Sequence, residues 1–346
     1  MENYFSYINN FYRFLLAYTS VFFSIFMASI LSINAVKAEV NFNLTIFEQE
    51  DLRASLGDIE NFRISFIDQS EDNDISITEI TLDGKVKKRI PIDQKKVNVK
   101  VKSARRVALD FQKITKNYIV AWPDRGITFY KRDGFEGLHI PFPKITHDIQ
   151  ISDDDILTFA NAWSQREEPQ AYQINTAGEI LWSWNAADFI DDNNFKKRVN
   201  RREPPNFAAA TSAVDLGNGQ IAVTLSAWGV IALVDRETKL ARTLIQDIRP
   251  HAVVVRDGDV IGYTARKPNT IVIKPEGKQD FVRIPVGGIK SLDLQYLGRN
   301  LWLTPTGPTL KIVHADGRVL WQIEIDMNKL QHPGRSLTAA TAFFVD

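Results

Sequence analysis

Four short strands recur along the chain about every 40 residues, the length of one blade in a radial β-structure. The first such unit is one strand short, while a single strand stands alone at the C-terminus, and helical periodicity is almost absent beyond residue 39. Together these predict an all-β fold: a six-bladed β-propeller closed by a C-terminal strand, with an N-terminal signal or anchor helix.

The elements follow in order. Residues 14–36 carry no charge and Arg13 stands just before them, which is the pattern of a targeting segment. The run is long enough to span a bilayer. Val36-Lys37-Ala38 also offers small residues for cleavage before Glu39, so residues 1–38 read as either a signal peptide or a membrane anchor. Either outcome puts the rest on the periplasmic or extracellular side. Residues 39–61 read as a linker or N-terminal extension, and 62–346 as the propeller.

Residues 62–92 supply three strands with the turn Asp83-Gly84, so the innermost strand of that blade is missing. The lone strand Thr341-Ala342-Phe343-Phe344-Val345 is the candidate to fill it and cover an open edge. A second unit starts near Arg106. The clearest begins at Thr146-His147-Asp148-Ile149-Gln150-Ile151, turns at Ser152-Asp153-Asp154-Asp155, and continues through Ile156 to Ala160, Ala171 to Ile174 and Glu179 to Trp184. Further units start at Ser212, His251 and Ser291, with Gly217-Asn218-Gly219, Asp257-Gly258 and Asp316-Gly317 at their turns. Residues 186–206, charged and ending near Pro204-Pro205, read as an insertion between two blades.

Composition narrows the function. Lys plus Arg number 42 against 42 Asp plus Glu, so there is no basic excess to hold nucleic acid. Membrane contact is expected only through the N-terminal segment. The absence of cysteine excludes disulfides, thiolate catalysis and thiolate metal sites. No His-x-His spacing occurs, and the acidic groups at 71–74, 153–155 and 191–192 read as solvated turns, so neither a metal nor another cofactor is expected.

In a propeller, the loops entering the innermost strands and the loops between second and third strands share one face. The first set places His147 and His251 there, with Arg106, Ser212, Ser291 and Thr341; the second places Trp122, Arg125, Trp163, Arg166, Trp228, Arg266 and Lys267. Guanidinium groups bind oxyanions and indoles stack on rings, so this mouth suits a small aromatic or anionic molecule. Arg266, Arg125, Trp228, Trp163 and Trp122 are the candidate substrate contacts.

Thr146-His147-Asp148, the strand Gly178-Glu179-Ile180-Leu181-Trp182-Ser183-Trp184 with its following insertion, and Pro250-His251-Ala252-Val253 with Asp257-Gly258-Asp259 resemble the bacterial arylsulfate sulfotransferases. The resemblance covers about a third of the chain and implies a periplasmic six-bladed propeller that passes a sulfuryl group between phenols through a sulfo-histidine. On that basis His251 is the expected nucleophile and His147 the acid or oxyanion partner. Two family residues are replaced. Ala208-Ala209-Ala210-Thr211-Ser212 stands where the family has a further histidine, and Ser226-Ala227-Trp228 where it has an arginine. A non-catalytic exported propeller that binds a ligand or scaffolds partners is the alternative.

Overall fold

A computed structural model describes residues 42–345 apart from 58, 72–73, 93–109, 115–116, 123–125, 132, 135, 143–144, 190–207, 248, 267–268, 289–292 and 326–336. Alternating apolar residues and turn formers give 25 strands in chain order. The first, β1 (Phe42–Ile46), is followed by the helix α1 (Gln49–Leu56). Blade one holds β2 (Phe62–Glu71), β3 (Asp74–Ile80) and β4 (Val86–Pro91); blade two holds β5 (Asp110–Ile114), β6 (Asn117–Trp122), β7 (Gly126–Lys131) and β8 (Glu136–Pro141). Blade three is β9 (Thr146–Ile151), β10 (Leu157–Ala160), β11 (Ala171–Ile174) and β12 (Ile180–Trp184), followed by a 3-10 turn at Ala186–Phe189. Blade four is β13 (Ala210–Asp215), β14 (Gln220–Leu225), β15 (Val230–Asp235) and β16 (Ala241–Gln246). Blade five is β17 (Pro250–Arg256), β18 (Asp259–Arg266), β19 (Asn269–Ile273) and β20 (Val282–Pro285). Blade six is β21 (Gln295–Gly298), β22 (Leu301–Pro305), β23 (Thr309–His314) and β24 (Val319–Ile325), and β25 (Leu337–Phe344) ends the chain.

Each blade is an antiparallel meander, and the six sheets are separate. The chain is therefore a six-bladed β-propeller. Blade one takes β25 against β2, with Phe62 opposite Phe344 and Ile64 opposite Ala342. Tight turns make the hairpins possible. Asp257 and Gly258 both have positive φ, 51° and 80°, the geometry a two-residue hairpin loop needs to match strand twist.

The core is divided among the interfaces between blades, as stacked sheets with two apolar faces require. Six buried clusters result, one at each junction. Ile67, Phe111 and Tyr130 join blades one and two; Ile119, Ile149 and Phe159 join two and three; Trp184, Ala210 and Val223 join three and four. Val214, Leu233 and Val253 join four and five, Ile273 and Trp302 join five and six, and Leu303, Trp321 and Phe66 join six and one. Indole N–H groups add directed bonds across junctions: Trp182 to the Arg236 carbonyl at 3.0 Å, Trp184 to Lys239 at 3.2 Å, and Trp321 to Leu82 at 2.7 Å.

Residues 42–57 form an N-terminal extension with a strand and a helix of its own. β1 pairs with the outer edge of β24, Phe42 opposite Ile325 through Ile46 opposite Trp321, making blade six five-stranded. On α1, Leu52 and Leu56 stand four apart and bury the same face against Leu82 and Trp321. Arg318 holds the helix start, donating to Asp51 at 2.7 Å and also to Glu48. The apolar alternation of Phe42, Leu44 and Ile46 serves an edge far away in sequence, which is why local reading makes it a linker or extension. The apolar run 14–36 and residues 190–206 of the expected insertion lie outside the described residues. Among the described residues no helix is long and apolar enough to cross a membrane.

Candidate functional site in the central channel

The innermost strands β5, β9, β13, β17, β21 and β25 surround one cavity of about 390 Å³. Its wall is built from a repeated tripeptide. Asp110-Phe111-Gln112 and Asp148-Ile149-Gln150 occupy the inner strands of blades two and three, and Asp293-Leu294-Gln295 leads into that of blade six. Residues two apart on a strand share a face, so each Asp and Gln point the same way.

That placement lets both side chains bond the neighbouring inner strand. The N–H of Ile149 donates to Asp110 Oδ2 at 2.7 Å and that of Ile151 to Gln112 Oε1 at 3.2 Å. The N–H of Ala340 donates to Asp293 Oδ2 at 2.9 Å; Ala342 donates to Gln295 Oε1 at 2.6 Å and its carbonyl accepts from Gln295 Nε2 at 3.0 Å. Between blades three and four, Asp215 N–H donates to Gln150 Oε1 at 2.7 Å. The Ser212 side chain and the Val253 N–H lie near the Asp148 carboxyl and favour its charged form. Inner strands have one free edge each, and these side chains satisfy part of it. In blade five the corresponding stretch is Ala252, Val253 and Val254, so its wall is apolar.

Burial and mutual repulsion tune the three acids. Burial, then the charges of Asp293 and Asp148, push Asp110 well above the usual carboxylate range. Burial and Asp293 do the same to Asp148. Asp293 is pushed up to about 6 by burial, with the Ala340 and Leu294 N–H groups opposing.

The effect on stability has a definite sign. An acid whose folded pKa exceeds its unfolded value binds its proton more tightly in the folded state, so stability falls as pH rises through that interval. Asp83 and Asp316, held down to about 2, act in the opposite sense but only below about pH 4. The midpoint of thermal unfolding is therefore expected to be lower near pH 8 than near pH 5, and Asp293→Asn to flatten that slope. Parallel profiles for wild type and variant would refute the assignment.

The structure places the residues singled out from sequence as follows. His251, on β17, is 0 % exposed and does not line the cavity, whose wall on that strand starts at Ala252. A register shift between Pro250 and Val253 accompanies this position. His147 lies on β9 and Arg266 ends β18, but their side chains are outside the described residues, as is all of Arg125. Trp122, 2 % exposed, packs with Phe111 and Tyr130; Trp228, 3 % exposed, packs with Trp184 and Val230. Trp163 is half-buried in the loop after β10, its N–H donating to Asn161 Oδ1 at 3.2 Å. Trp122 and Trp228 thus lie in different junctions and not together at one surface. The feature missed in the sequence is the Asp-x-Gln repeat, legible as three copies of one string in phase with the blades.

No protein-family profile and no curated protein matches the chain. Among solved structures it is similar to a protein of unknown function from Bacteroides caccae, with a TM-score of 0.57 and 14 % identity over 82 % of this chain and 99 % of that one. It also aligns with a streptogramin B lyase, at a TM-score of 0.48 and 11 % identity over 90 % and 100 % of the two chains, and with the WD40 propeller domain of Doa1, at 0.46 and 9 % over 83 % and 80 %. At these identities the likeness is one of fold. The class that fold and cavity define is a six-bladed propeller with a polar central channel.

Proposed function

We propose that this protein is an exported, non-catalytic propeller that binds a small molecule in its central channel. The N-terminal apolar segment directs it across the membrane, and β25 closes the ring from which the channel is built. One observation carries the reading: inner strands of all six blades line a cavity of about 390 Å³, of the size that takes small ligands, while His251 is buried outside that lining.

Sulfuryl transfer, the other reading, rests on His147 and His251 opening inner strands in the same phase. It requires an imidazole that sulfur can reach and positive groups around the sulfate oxygens. A wholly buried His251 and a wall carrying Asp110, Asp148 and Asp293 favour binding over transfer. The test is phenol release from a chromogenic aryl sulfate, with a phenol acceptor present. Wild type and His251→Ala are expected to match the buffer rate; release that requires His251 would overturn the binding reading.

A further inference from the structure

The channel is chemically lopsided. Asp110 starts its inner strand, Asp148 lies in the first half of its own, and Asp293 stands two residues before β21. Each carboxylate offers about four acceptor positions. For Asp110 and Asp293 the hydrogen bonds use one or two of them, all from backbone N–H groups. The charges named as acting on Asp110 and Asp148 are other carboxylates of the same ring. The cations of the cavity wall lie further along the strands and are engaged there. Lys113 Nζ sits 4.1 Å from the centre of the Phe343 ring, and Arg256 pairs with Asp257 at 3.2 Å and Glu276 at 3.4 Å. Blade five's part of the wall is Ala252, Val253 and Val254.

We propose that the channel ligand is an organic ammonium ion with an apolar body, its N–H groups donating to Asp110, Asp148 and Asp293 and its body lying against Ala252, Val253 and Val254. The inference rests on the reading of the channel as a binding site and specifies its ligand class. A buried ring of like charge is costly without a counter-charge, and an ammonium supplies both the charge and up to three donors. A sulfate or carboxylate at the same place adds to the repulsion. Protonation of the acids removes the attraction, so binding weakens as pH falls, Asp293 taking up its proton around 6 and Asp110 and Asp148 also raised.

Calorimetric titration of the full-length protein with phenethylammonium, 2-phenylethanol and phenylacetate tests the class with three molecules of one shape. Near pH 8 the ammonium is expected to bind about tenfold or more tighter than the alcohol, the worth of a charged hydrogen bond in a buried site. Phenylacetate is expected not to bind. Asp110→Asn is expected to cost the ammonium about tenfold and leave the alcohol unchanged, and lowering the pH to about 5 is expected to act in the same direction. Val254→Trp and, separately, Thr341→Tyr fill the cavity and should abolish binding; either suffices if the other fails to fold. Alcohol bound as tightly as ammonium, and lost in the filled variants, would overturn the ammonium class and leave the channel reading standing. Ammonium binding that survives both filled variants would overturn the two together. No ammonium binding to wild type overturns the class, and the channel reading then stands or falls on the aryl sulfate assay.

Discussion

A chain ended at Ser336 is expected to lose its folded propeller. The missing strand β25 supplies the inner edge of blade one, where it pairs with β2 from Phe62 opposite Phe344 to Asp68 opposite Leu337. Its loss exposes Ile64 and Phe66, which are otherwise wholly buried. It also deletes the N–H groups of Ala340 and Ala342, leaving Asp293 and Gln295 without the partners that tie blade six to blade one. Each orphaned buried acceptor costs roughly 1–3 kcal/mol. With the lost apolar burial, the sum reaches the ~5–15 kcal/mol that stabilises a typical domain. Size-exclusion chromatography and thermal melts should show an associating protein without a cooperative transition. Adding the peptide 337–344 in trans should restore part of it, since an open strand edge accepts an added strand. A truncated monomer melting within about 2 °C of the full chain would show that β25 does not hold the ring, because a contribution of even 1 kcal/mol shifts the midpoint by that much.

Trp321→Ala is expected to cost about 4–6 kcal/mol, the sum of a large buried aromatic deletion and an orphaned carbonyl. The indole is wholly buried where blade six, blade one and α1 meet, packed with Leu52, Leu56, Leu82 and Leu320. Its N–H donates to the Leu82 carbonyl at 2.7 Å across the junction. Trp321→Phe retains most of the packing and loses the bond, so it should cost about 1–2 kcal/mol. Urea unfolding followed by circular dichroism separates the two. A loss below about 1 kcal/mol for the alanine variant would mean that this junction does not depend on the indole.

Much of the fold was legible because its signals are local. Alternation of apolar and polar residues marks a strand wherever it ends up, and Ala171–Ile174 has the same bounds in sequence and structure. Turn residues such as Asp257-Gly258 mark hairpins by their own backbone preferences. The pairing of the extension at residues 42–57 was not legible, because the alternation of Phe42, Leu44 and Ile46 has meaning only beside β24, nearly three hundred residues away along the chain. The site was legible in its location and not in its chemistry. The phase of His251 correctly puts it on an inner strand, but the register shift next to it decides where the ring points, and the ring is buried. Trp122 ends β6 and Trp228 sits in the turn between β14 and β15, where sequence position suits a mouth equally well as a junction. The structure packs both into junctions. The Asp-x-Gln copies lay in plain view, yet their partners are N–H groups of other blades, which no spacing along one strand reveals.

The sequence by itself determined the repeat, the strands, their hairpins and the count of six blades, because each depends on contacts within one meander. Tertiary structure alone decided which side chains face the channel, which fill the junctions, and that three carboxylates share one cavity. Those outcomes depend on how neighbouring sheets stack and where a strand slips by one residue, and such a slip turns a side chain from one face to the other without changing a letter of the pattern.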